Sequence, residues 1–578
     1  MKYLRFYFKK YRLESLLAPL FKMLEACFDL AVPIVVARII NIGIAQGDRG
    51  YILTRFGILG AMGLLGLLCS FTAQWFSAKA ATGTATGLRH RLLEKIQSLS
   101  LTELDGMGVP TLITRMTSDI NQVQSGVNMV LRLFLRSPFI VFGAMIMAFT
   151  VNVKAALVFV VAIPLLSVVV FSVMLASIPL FKKVQSGLDS VLGHTRENLE
   201  GARVIRAFNK EHHEERRLDE VFSDYAANAI KVNHLFVGLD SSSFFLMNIA
   251  EVAVLWVGGN RVGAHAMQIA SISAVLEYAI LILFFVMMAQ MVVLTLPRAA
   301  ACLNRAQQVL EIEPSIVDGE RTLGDGTPAS EDDADAVAVF DHMSFRFDDA
   351  DEDTLCDLSF ACRRGQTTAI VGSTGSGKST VAKLLLRFHD ATKGAIRLDG
   401  IDLRELSQDE IRGRIAYVPQ KAWLFSGTVA SNLRFGNEDA TEADMLHALQ
   451  VAQSTFVLDQ PRGLDTPVAQ GGTNFSGGQR QRLAIARALM KHADLYIFDD
   501  SFSALDFKTD AALRHALQDE TRDAAVLIIA QRISTILHAD QIVVLKDGEV
   551  VGLGAHEELM ETCEVYRAIA ESQMKGGE

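Results

Sequence analysis

The chain of 578 residues is too long for one compact core, so several domains are expected. Half of its residues are apolar and the mean hydropathy is +0.27, which is high for a soluble protein. Residues 1–330 carry a net charge of +5 and residues 331–578 carry −15, so neither part has the strongly basic balance of a nucleic-acid-binding protein. The six cysteines are scattered without a CxxC pair, which indicates small buried residues in a reducing compartment rather than disulfides or a zinc site.

Six stretches before residue 319 are apolar enough to cross a bilayer as helices. A hydrocarbon core of roughly 30 Å needs about 20 apolar helical residues. Residues 56–78 contain no formal charge over 23 residues and residues 155–181 contain none over 27, which argues against a soluble helical bundle. The sequence therefore predicts an α-helical membrane domain of six transmembrane helices over residues 1–318. Its predicted spans are about 14–45, 54–100, 127–153, 155–205, 232–262 and 268–310.

Positive charge in the connections predicts the orientation of these spans. The N-terminal dozen residues, residues 79–126 and residues 181–233 hold five, five and nine Lys and Arg residues, whereas the three short connections hold four in total. Lys and Arg mark the cytoplasmic side, so both termini and both long loops are predicted to face the cytosol. The long loops keep a helical pattern, so the spans are expected to continue beyond the membrane as helices. The predicted location is a multi-pass position in a cell membrane, namely a bacterial plasma membrane.

Several charged residues fall within the predicted spans, where charges are costly and often functional. One hypothesis is a shared, water-filled cavity that favours cationic or amphipathic cargo. Its candidate residues are Glu25, Asp29, Glu251 and Glu277. The alternative is internal pairing, for instance of Lys22 with Glu25. Arg132 and Arg136 are further candidates for pairing with acids on neighbouring helices.

The composition changes after the last span. Residues 319–336, GERTLGDGTPASEDDADA, are rich in glycine, acids and turn formers, which predicts a linker. From residue 337 onwards, short β-rich runs alternate with helices. The sequence therefore predicts an α/β domain over residues 337–578.

A phosphate-binding loop is predicted near the start of this domain. TTAIV (367–371) has the pattern of a buried strand and is followed by GSTGSGKST (372–380) and a helical run. This is the strand–loop–helix context that the P-loop motif G-x-x-x-x-G-K-[ST] requires. Lys378 is predicted to reach the terminal phosphates and Ser379 to ligate Mg²⁺. The predicted nucleotide-binding residues of the loop are Gly372, Ser373, Thr374, Gly375, Ser376, Gly377, Lys378, Ser379 and Thr380.

Two adjacent carboxylates follow a second buried strand in LYIFDD (495–500). Asp499 at the strand end is predicted to bind the nucleotide's Mg²⁺. Asp500 is then positioned to orient or deprotonate the water that attacks the γ-phosphate. The expected cofactors are therefore ATP and Mg²⁺.

Two further segments make the pattern specific. NFSGGQRQRLAIARAL (474–489) places a signature at the start of an amphipathic helix, namely Ser476, Gly477, Gly478 and Gln479. YVPQ (417–420) places Gln420 after a strand. Together with the P-loop and SALD (503–506), these motifs resemble the ATP-binding-cassette (ABC) family, with an α/β P-loop ABC ATPase domain. With six preceding spans, the whole chain resembles an exporter-type half-transporter.

The resemblance implies roles that one sequence cannot show. Two cassettes would face head to tail, so that the signature of each chain contacts the ATP held by the other. Gln420 would contribute to both the Mg²⁺ site and catalysis. Phe347 stands where such cassettes carry an aromatic ring that stacks on adenine; the alternative is a core aromatic of a strand.

Two positions depart from the family pattern. The family usually has Glu where this chain has Asp500, and His where the segment VLIIAQRISTI (526–536) has Gln531. The Asp carboxylate is withdrawn by about 1.5 Å, and a misplacement of about 1 Å can reduce a rate about 10²-fold. Gln can bond a phosphate oxygen but cannot become cationic. We therefore expect firm binding of MgATP and slow hydrolysis at the chain's own site.

An intact signature beside an impaired site favours a heterodimer with a second ABC half-transporter; a homodimer with two slow sites is the alternative. The expected activity is ATP-driven export of an amphipathic small molecule, lipid or peptide. Two other functions remain open, an importer of metal chelates on the same scaffold and an ATP-gated regulator or channel. Membrane lipid is an expected partner and nucleic acid is not.

Overall fold

The computed structural model describes residues 10–323 and 335–575, so most of the predicted linker 319–336 lies outside the described residues. The chain divides into two compact units. The membrane unit comprises the described residues up to Gln97 together with Val109–Ile312. The ATPase unit comprises Ser98–Gly108 together with the described residues from Glu313 onwards. The domain boundaries proposed from the sequence stay predictions.

The membrane unit contains six helices that are long and apolar enough to cross a membrane, which confirms the predicted number. Glu211–Gly263 has 53 residues and is therefore about 80 Å long at about 1.5 Å per residue, far longer than a bilayer core. The cytosolic position of the termini stays a prediction. The six helical runs are Arg12–Arg38 continued by a π-helical turn Ile39–Ile44; Arg49–Gln97; Val109–Val151; Val153–Glu200; Glu211–Gly263; and Ile269–Glu311, with a short helix Ala202–Ala207.

The third run is interrupted by two further π-helical turns. Its segments are Val109–Thr114, the π-turn Arg115–Asp119, Ile120–Met129, the π-turn Val130–Phe134 and Arg136–Val151. Such single-turn bulges are rare and frequently lie at functional sites.

Apolar side chains of the membrane unit face both its core and its surroundings. Phe159, Ile140 and Tyr278 are fully buried in one cluster. The Tyr278 hydroxyl donates to the Leu30 carbonyl at 2.6 Å, which satisfies its polar end. Large apolar side chains are also exposed along the helices, among them Leu64, Phe71, Trp75, Val161, Phe245 and Trp256. Extended apolar surface of this kind is typical of a protein that contacts lipid.

The ATPase unit is built on two sheets. The strands are β1 Ala336–Phe345, β2 Leu355–Arg363, β3 Thr367–Gly372, β4 Lys393–Leu398, β5 Ile401–Asp402, β6 Ile415–Val418, β7 Gly427–Thr428, β8 Pro467–Val468, β9 Leu495–Asp499, β10 Ala525–Ile529, β11 Gln541–Lys546 and β12 Glu549–Gly554. The larger sheet has six strands in the order β12-β11-β3-β10-β9-β6, all parallel except β12. The second sheet is antiparallel with the order β2-β1-β4-β5, and β7 pairs with β8.

Helices cover the six-stranded sheet, and β9 and β10 are buried at every residue, as expected of central parallel strands. From Lys378 onwards, the described α-helices of the unit are Lys378–Leu385, Gln408–Arg414, Val429–Arg434, Glu442–Val451, Gly477–Leu489, Phe507–Glu520, Ile533–Ile536, His556–Thr562 and Glu564–Lys575. The membrane helices and this α/β domain together confirm the predicted fold class.

A short helix, Leu101–Met107, belongs to the ATPase unit although it precedes most of the membrane helices in the chain. Ser100 caps its N-terminus together with Glu103. Ser315 is joined to both, since its hydroxyl lies 2.9 Å from that of Ser100 and its N–H donates to Glu103 Oε1 at 3.1 Å.

Candidate nucleotide site

Four predicted functional segments meet at the carboxyl edge of the six-stranded sheet. β3, β10, β9 and β6 are adjacent and parallel, so their carboxyl ends lie at the same edge. The P-loop follows β3, the paired carboxylates close β9, Gln531 follows β10 and Gln420 follows β6. Ligands of open α/β sheets bind outside such carboxyl ends.

The P-loop has the backbone shape that phosphate binding requires. Gly375 and Gly377 have φ of +88° and +91°, a region that favours glycine. A Cβ at Gly377 would lie 2.5 Å from Leu355 Cδ2, so a larger residue is excluded. Within the described residues the buried Ser376 hydroxyl has no hydrogen-bond partner, which leaves a polar group available to a ligand. The outer loop residues Ser373 and Thr374 are exposed.

Lys378 begins the helix after the loop, and its ammonium group is bound by weak acceptors. Its Nζ donates to the carbonyls of Gly372 and Ser373 at 2.9 and 2.7 Å. Burial lowers the pKa of Lys378, and the nearby Asp500 and Asp499 act in the opposite direction. Charged phosphate oxygens are stronger acceptors than carbonyls, so this ammonium group can transfer to a nucleotide. Thr380 lies in the first turn of the same helix.

Asp499 and Ser379 form the pair of oxygen ligands expected for Mg²⁺. Ser379 Oγ donates to Asp499 Oδ1 at 2.9 Å, and the Tyr417 hydroxyl lies 3.4 Å from Asp499 Oδ2. Burial raises the pKa of Asp499 more than these two hydrogen bonds lower it. A buried carboxylate beside a hydroxyl is a set of hard oxygen donors suited to Mg²⁺, which would help to neutralise the phosphates. These two residues therefore fit the ion.

Tyr417 was not predicted from the sequence as a site residue. It belongs to the YVPQ segment, in which Gln420 was the chosen residue. Tyr417 lies in β6, which pairs with β9. Because burial raises the pKa of Tyr417, its hydroxyl stays protonated and donates to Asp499. A tyrosine one residue before the end of a buried parallel strand was the available signal.

The backbone of Asp500 is fixed from two sides. Its φ is +46°, in the left-handed region that Asp tolerates better than most residues. Its N–H donates to the Ile529 carbonyl at 2.8 Å, and Ser503 Oγ donates to its carbonyl at 2.8 Å. Gln420 Nε2 donates to Asp500 Oδ2 at 3.2 Å. The structure thus brings two predicted catalytic residues into contact.

Gln531 lies just beyond β10 with an exposed side chain. Its carbonyl accepts a hydrogen bond from Gln573 Nε2 at 2.8 Å, and Gln573 Oε1 accepts one from the Ile533 N–H at 2.8 Å. Gln573 belongs to the helix Glu564–Lys575, so that helix holds in place the segment from Gln531 to Ile533, here called the switch segment. Nothing local in the sequence indicated this role for Gln573.

The signature forms a complete helix N-terminus. Ser476 Oγ accepts from the Gln479 N–H at 3.3 Å, and Gln479 Oε1 accepts from the Ser476 N–H at 2.9 Å. A Cβ at Gly478 would lie 3.1 Å from the Ala504 carbonyl oxygen, so this glycine permits close approach of the SALD segment. Ser476 and Gly477 are exposed. In the part of the chain that the structure describes, no hydrogen bond joins the signature to the P-loop.

Phe347 lies two residues beyond the end of β1, with its ring half-buried. Its ring packs edge to face against the rings of Phe345 and His389, with 4.8 and 5.4 Å between the ring centres. It lines a cavity of about 190 Å³ together with His389 and Thr102. Thr102 Oγ1 lies 3.1 Å from His389 Nδ1, and burial lowers the pKa of His389. Neither Thr102 nor His389 was singled out from the sequence, because each is ordinary in its own segment.

The acidic residues of the membrane unit do not form one group. Glu25 pairs with Lys22 at 2.5 Å and with Arg136 at 3.2 Å, and Asp29 pairs with Arg136 at 2.8 Å. This is the internal pairing that the sequence left open. Glu251 and Glu277 lie on two other helices and form no ion pair within the described ranges.

The fold and the site define a P-loop ATPase joined to a six-helix membrane domain. Residues 15–287 match the family model of the ABC transporter transmembrane region, and residues 355–503 match the family model described as ABC transporter. The chain is 37% identical over 577 residues to the uncharacterized ABC transporter ATP-binding protein Rv1273c of Mycobacterium tuberculosis, covering 99% of this chain and 97% of that protein.

Two further similarities extend over most of the chain. It is 31% identical over 524 residues to the ATP-dependent lipid A-core flippase of Yersinia pestis, covering 89% of this chain and 87% of that one. Its fold is similar to that of a bacterial Atm1-family ABC exporter with ATP bound, with a TM-score of 0.79 at 22% identity over 98% of both chains. The chain therefore belongs to the ABC transporter family. It is a half-transporter with the fold of an ABC exporter, in which one membrane domain is joined to one ATPase domain that couples ATP hydrolysis to transport.

Proposed function

We propose that this chain is one half of a heterodimeric exporter, and that it binds MgATP firmly but hydrolyses it slowly at its own P-loop. The observation that carries the proposal is the contrast at the end of β9. Asp499 is buried and bonded to Ser379, whereas the adjacent catalytic position holds the short side chain of Asp500, with its carboxylate bonded to Gln420.

The binding groups support firm retention of the nucleotide. The glycine-rich loop and Lys378 would hold the phosphates, and Ser379 with Asp499 would hold Mg²⁺. The ring of Phe347 packs partly against the core and also lines a cavity, so it can stack on the adenine while it contributes to the core.

The hydrolytic groups support slow turnover. Asp500 reaches about 1.5 Å less far than the Glu that the family usually carries, and its fixed backbone prevents the chain from moving the carboxylate forward. Gln531 keeps a hydrogen-bond donor at the switch position but supplies no positive charge to the γ-phosphate. These two effects act on one transition state and need not add.

The intact signature supports a partner of different sequence. The capped N-terminus at Ser476 can contact an ATP held by another chain, so this chain can complete a productive site on a partner that carries Glu and His. A homodimer would contain two slow sites and is the alternative. The expected cargo is an amphipathic small molecule, lipid or peptide; similarity to a lipid flippase supports the lipid within this range.

Co-expression of two differently tagged copies of the chain tests the proposal directly. In a heterodimer, when the second half-transporter is present, purification through one tag recovers that partner in equal amount and does not recover the other tag. Asp500→Ala should then leave most ATPase activity, whereas replacing the partner's catalytic Glu should abolish it. Recovery of both tags with rapid hydrolysis, or equal losses from the two replacements, would overturn the asymmetry.

Reconstituted vesicles test the direction of transport. ATP-dependent movement of cargo from the ATPase side of the membrane to the opposite side is the expected result. Movement towards the ATPase side would indicate an importer, and passive ion current opened by ATP would indicate a channel.

A further inference from the structure

The membrane unit contains a cluster of ionisable side chains with more positive than negative charge. Its members are Lys22, Glu25, Asp29, Arg132 and Arg136. Both acids are already paired, because Glu25 bonds Lys22 and Arg136, and Asp29 bonds Arg136. The cluster therefore carries three positive charges against two negative ones.

The surplus charge lies on Arg132. Its side chain is half-buried, and its Nε is buried without a hydrogen-bond partner. Among residues 10–323 and 335–575 the ion pairs of this cluster join Glu25 and Asp29 to Lys22 and Arg136, and none includes Arg132. Arg132 and Arg136 both lie close enough to Lys22 for the like charges to repel one another. A guanidinium group in a membrane domain without an anion is costly, so its retention points to an anion from outside this chain.

The backbone at Arg132 has the irregularity often found at functional sites. Arg132 is in the π-helical turn Val130–Phe134, just before the helix that carries Arg136. The extra residue in such a turn changes the direction of nearby side chains relative to a regular helix.

An apolar cavity begins beside this cluster. The cavity has a volume of about 440 Å³, within the range of small-molecule sites, and Ser137, the residue after Arg136, lines it. Phe285 lines the cavity as well, and the Arg136 guanidinium lies 5.0 Å from the centre of its ring. The other lining residues are mostly apolar, among them Val141, Phe142, Val170, Phe171 and Met174.

We propose that the membrane unit binds an anionic amphiphile, with its phosphate or carboxylate group on Arg132 and its hydrocarbon part in the cavity. Arginine pairs with both groups through two parallel hydrogen bonds. The proposal rests on the proposed transport function and specifies its cargo. It departs from the sequence-based hypothesis of a cavity for cationic or amphipathic cargo, because two of the four acids in that hypothesis, Glu25 and Asp29, are paired within the chain.

Equilibrium binding without nucleotide tests the charge preference. The full chain is reconstituted in nanodiscs of phosphatidylcholine, with empty nanodiscs as the blank. Four probes share a twelve-carbon chain: dodecyl phosphate, dodecanoate, dodecyltrimethylammonium and neutral dodecyl maltoside. We expect the two anions to bind about ten-fold more tightly than the cation, and their ratio reports which acidic group is preferred.

Substitutions at Arg132 test the assignment to this residue. Arg132→Gln should weaken binding of the anions by about ten-fold or more and leave dodecyl maltoside unchanged. Arg132→Lys keeps the charge but not the paired hydrogen bonds, so it should weaken anion binding less than Arg132→Gln does. Arg49→Gln, which removes an exposed arginine at the start of another helix, is the matched control and should change nothing. Val141→Phe should fill part of the cavity and weaken all probes alike.

Three results would overturn the proposal. The first is tighter binding of the cation than of the anions, and the second is unchanged anion affinity in Arg132→Gln. The third is an equal change in affinity for charged and neutral probes together with loss of the dimer. That third result would make Arg132 a contact of the second subunit. Thermal unfolding of each variant verifies that it is folded. Because the assay contains no ATP, failure of active transport would leave the binding pattern intact and would be seen separately in vesicles.

Discussion

Lengthening the side chain at position 500 should restore part of the missing hydrolytic activity. Asp500→Glu adds one carbon–carbon bond and advances the carboxylate by about 1.5 Å. A displacement of about 1 Å can be worth about 10²-fold in rate, or about 2.7 kcal/mol of activation free energy. Because Gln531 still supplies no positive charge, we expect only part of this gain, about ten-fold, in dimers of this chain alone.

The structure also predicts the structural consequence of this change. Asp500 has a φ of +46°, which Glu tolerates less well than Asp, so the variant should lose up to about 1 kcal/mol of stability. This loss would appear as a lower unfolding temperature and not as a lower rate.

Steady-state ATP hydrolysis by the purified chain is the measurement. Asp500→Asn keeps the length of the side chain but removes its charge, so its rate of hydrolysis should be lower than that of the wild type. This variant separates the effect of side-chain length from the effect of charge. With the proposed partner present, Asp500→Glu should raise turnover only modestly, because the partner's site dominates. A wild-type chain that hydrolyses ATP as fast as Asp500→Glu when self-paired would refute the reasoning.

Three other predictions concern the same site. Phe347→Ala should weaken ATP binding by about 1–3 kcal/mol and Phe347→Tyr should not, as measured with a fluorescent nucleotide; equal affinities would assign the ring to the core. Burial raises the pKa of Asp499, so the apo protein loses stability as pH rises through that pKa. Asp499→Asn should therefore unfold at a higher temperature than wild type in neutral buffer without Mg²⁺ and at the same temperature in acid. MgATP should no longer stabilise this variant. A lower unfolding temperature than wild type in neutral buffer without Mg²⁺ would contradict the prediction. Gln573→Ala removes two hydrogen bonds to the switch segment and should slow ATP hydrolysis about 5- to 30-fold. Gln573→Glu keeps one of these bonds, so its rate should lie between those of Gln573→Ala and the wild type. An unchanged rate in Gln573→Ala would show that this helix does not affect catalysis.

The parts of the molecule that were predictable from sequence are those whose signal is local. The number of apolar helices follows from long runs without charge, and the P-loop follows from glycines between a strand and a helix. Asp499 could be located because it ends a buried strand, and strand order then places it at the same edge as Gly372. The parallel register of β9 with β10 and of β10 with β3 supplies that proximity, and sequence alone does not.

The features that sequence did not predict depend on distant contacts. Gln573 reaches the switch segment across 42 residues, and Thr102 reaches His389 across 287. The charge balance in the membrane unit is a further case, since Arg136 and Asp29 are 107 residues apart. A residue count showed that acids and bases were present there, but only the pairing shows that Arg132 is the unpaired base of the cluster around Lys22.

The short segment Ser98–Gly108 has a practical consequence for dissecting this transporter. The chain leaves the membrane helices, contributes this piece to the ATPase unit and returns, so a fragment cut at residue 313 discards part of its own unit. Ser315 would lose its contacts with Ser100 and Glu103, and His389 would lose Thr102. A truncated cassette should consequently melt at a lower temperature than the cassette of the intact chain, and a synthetic peptide spanning Ser98–Gly108, added in trans, should recover part of the difference.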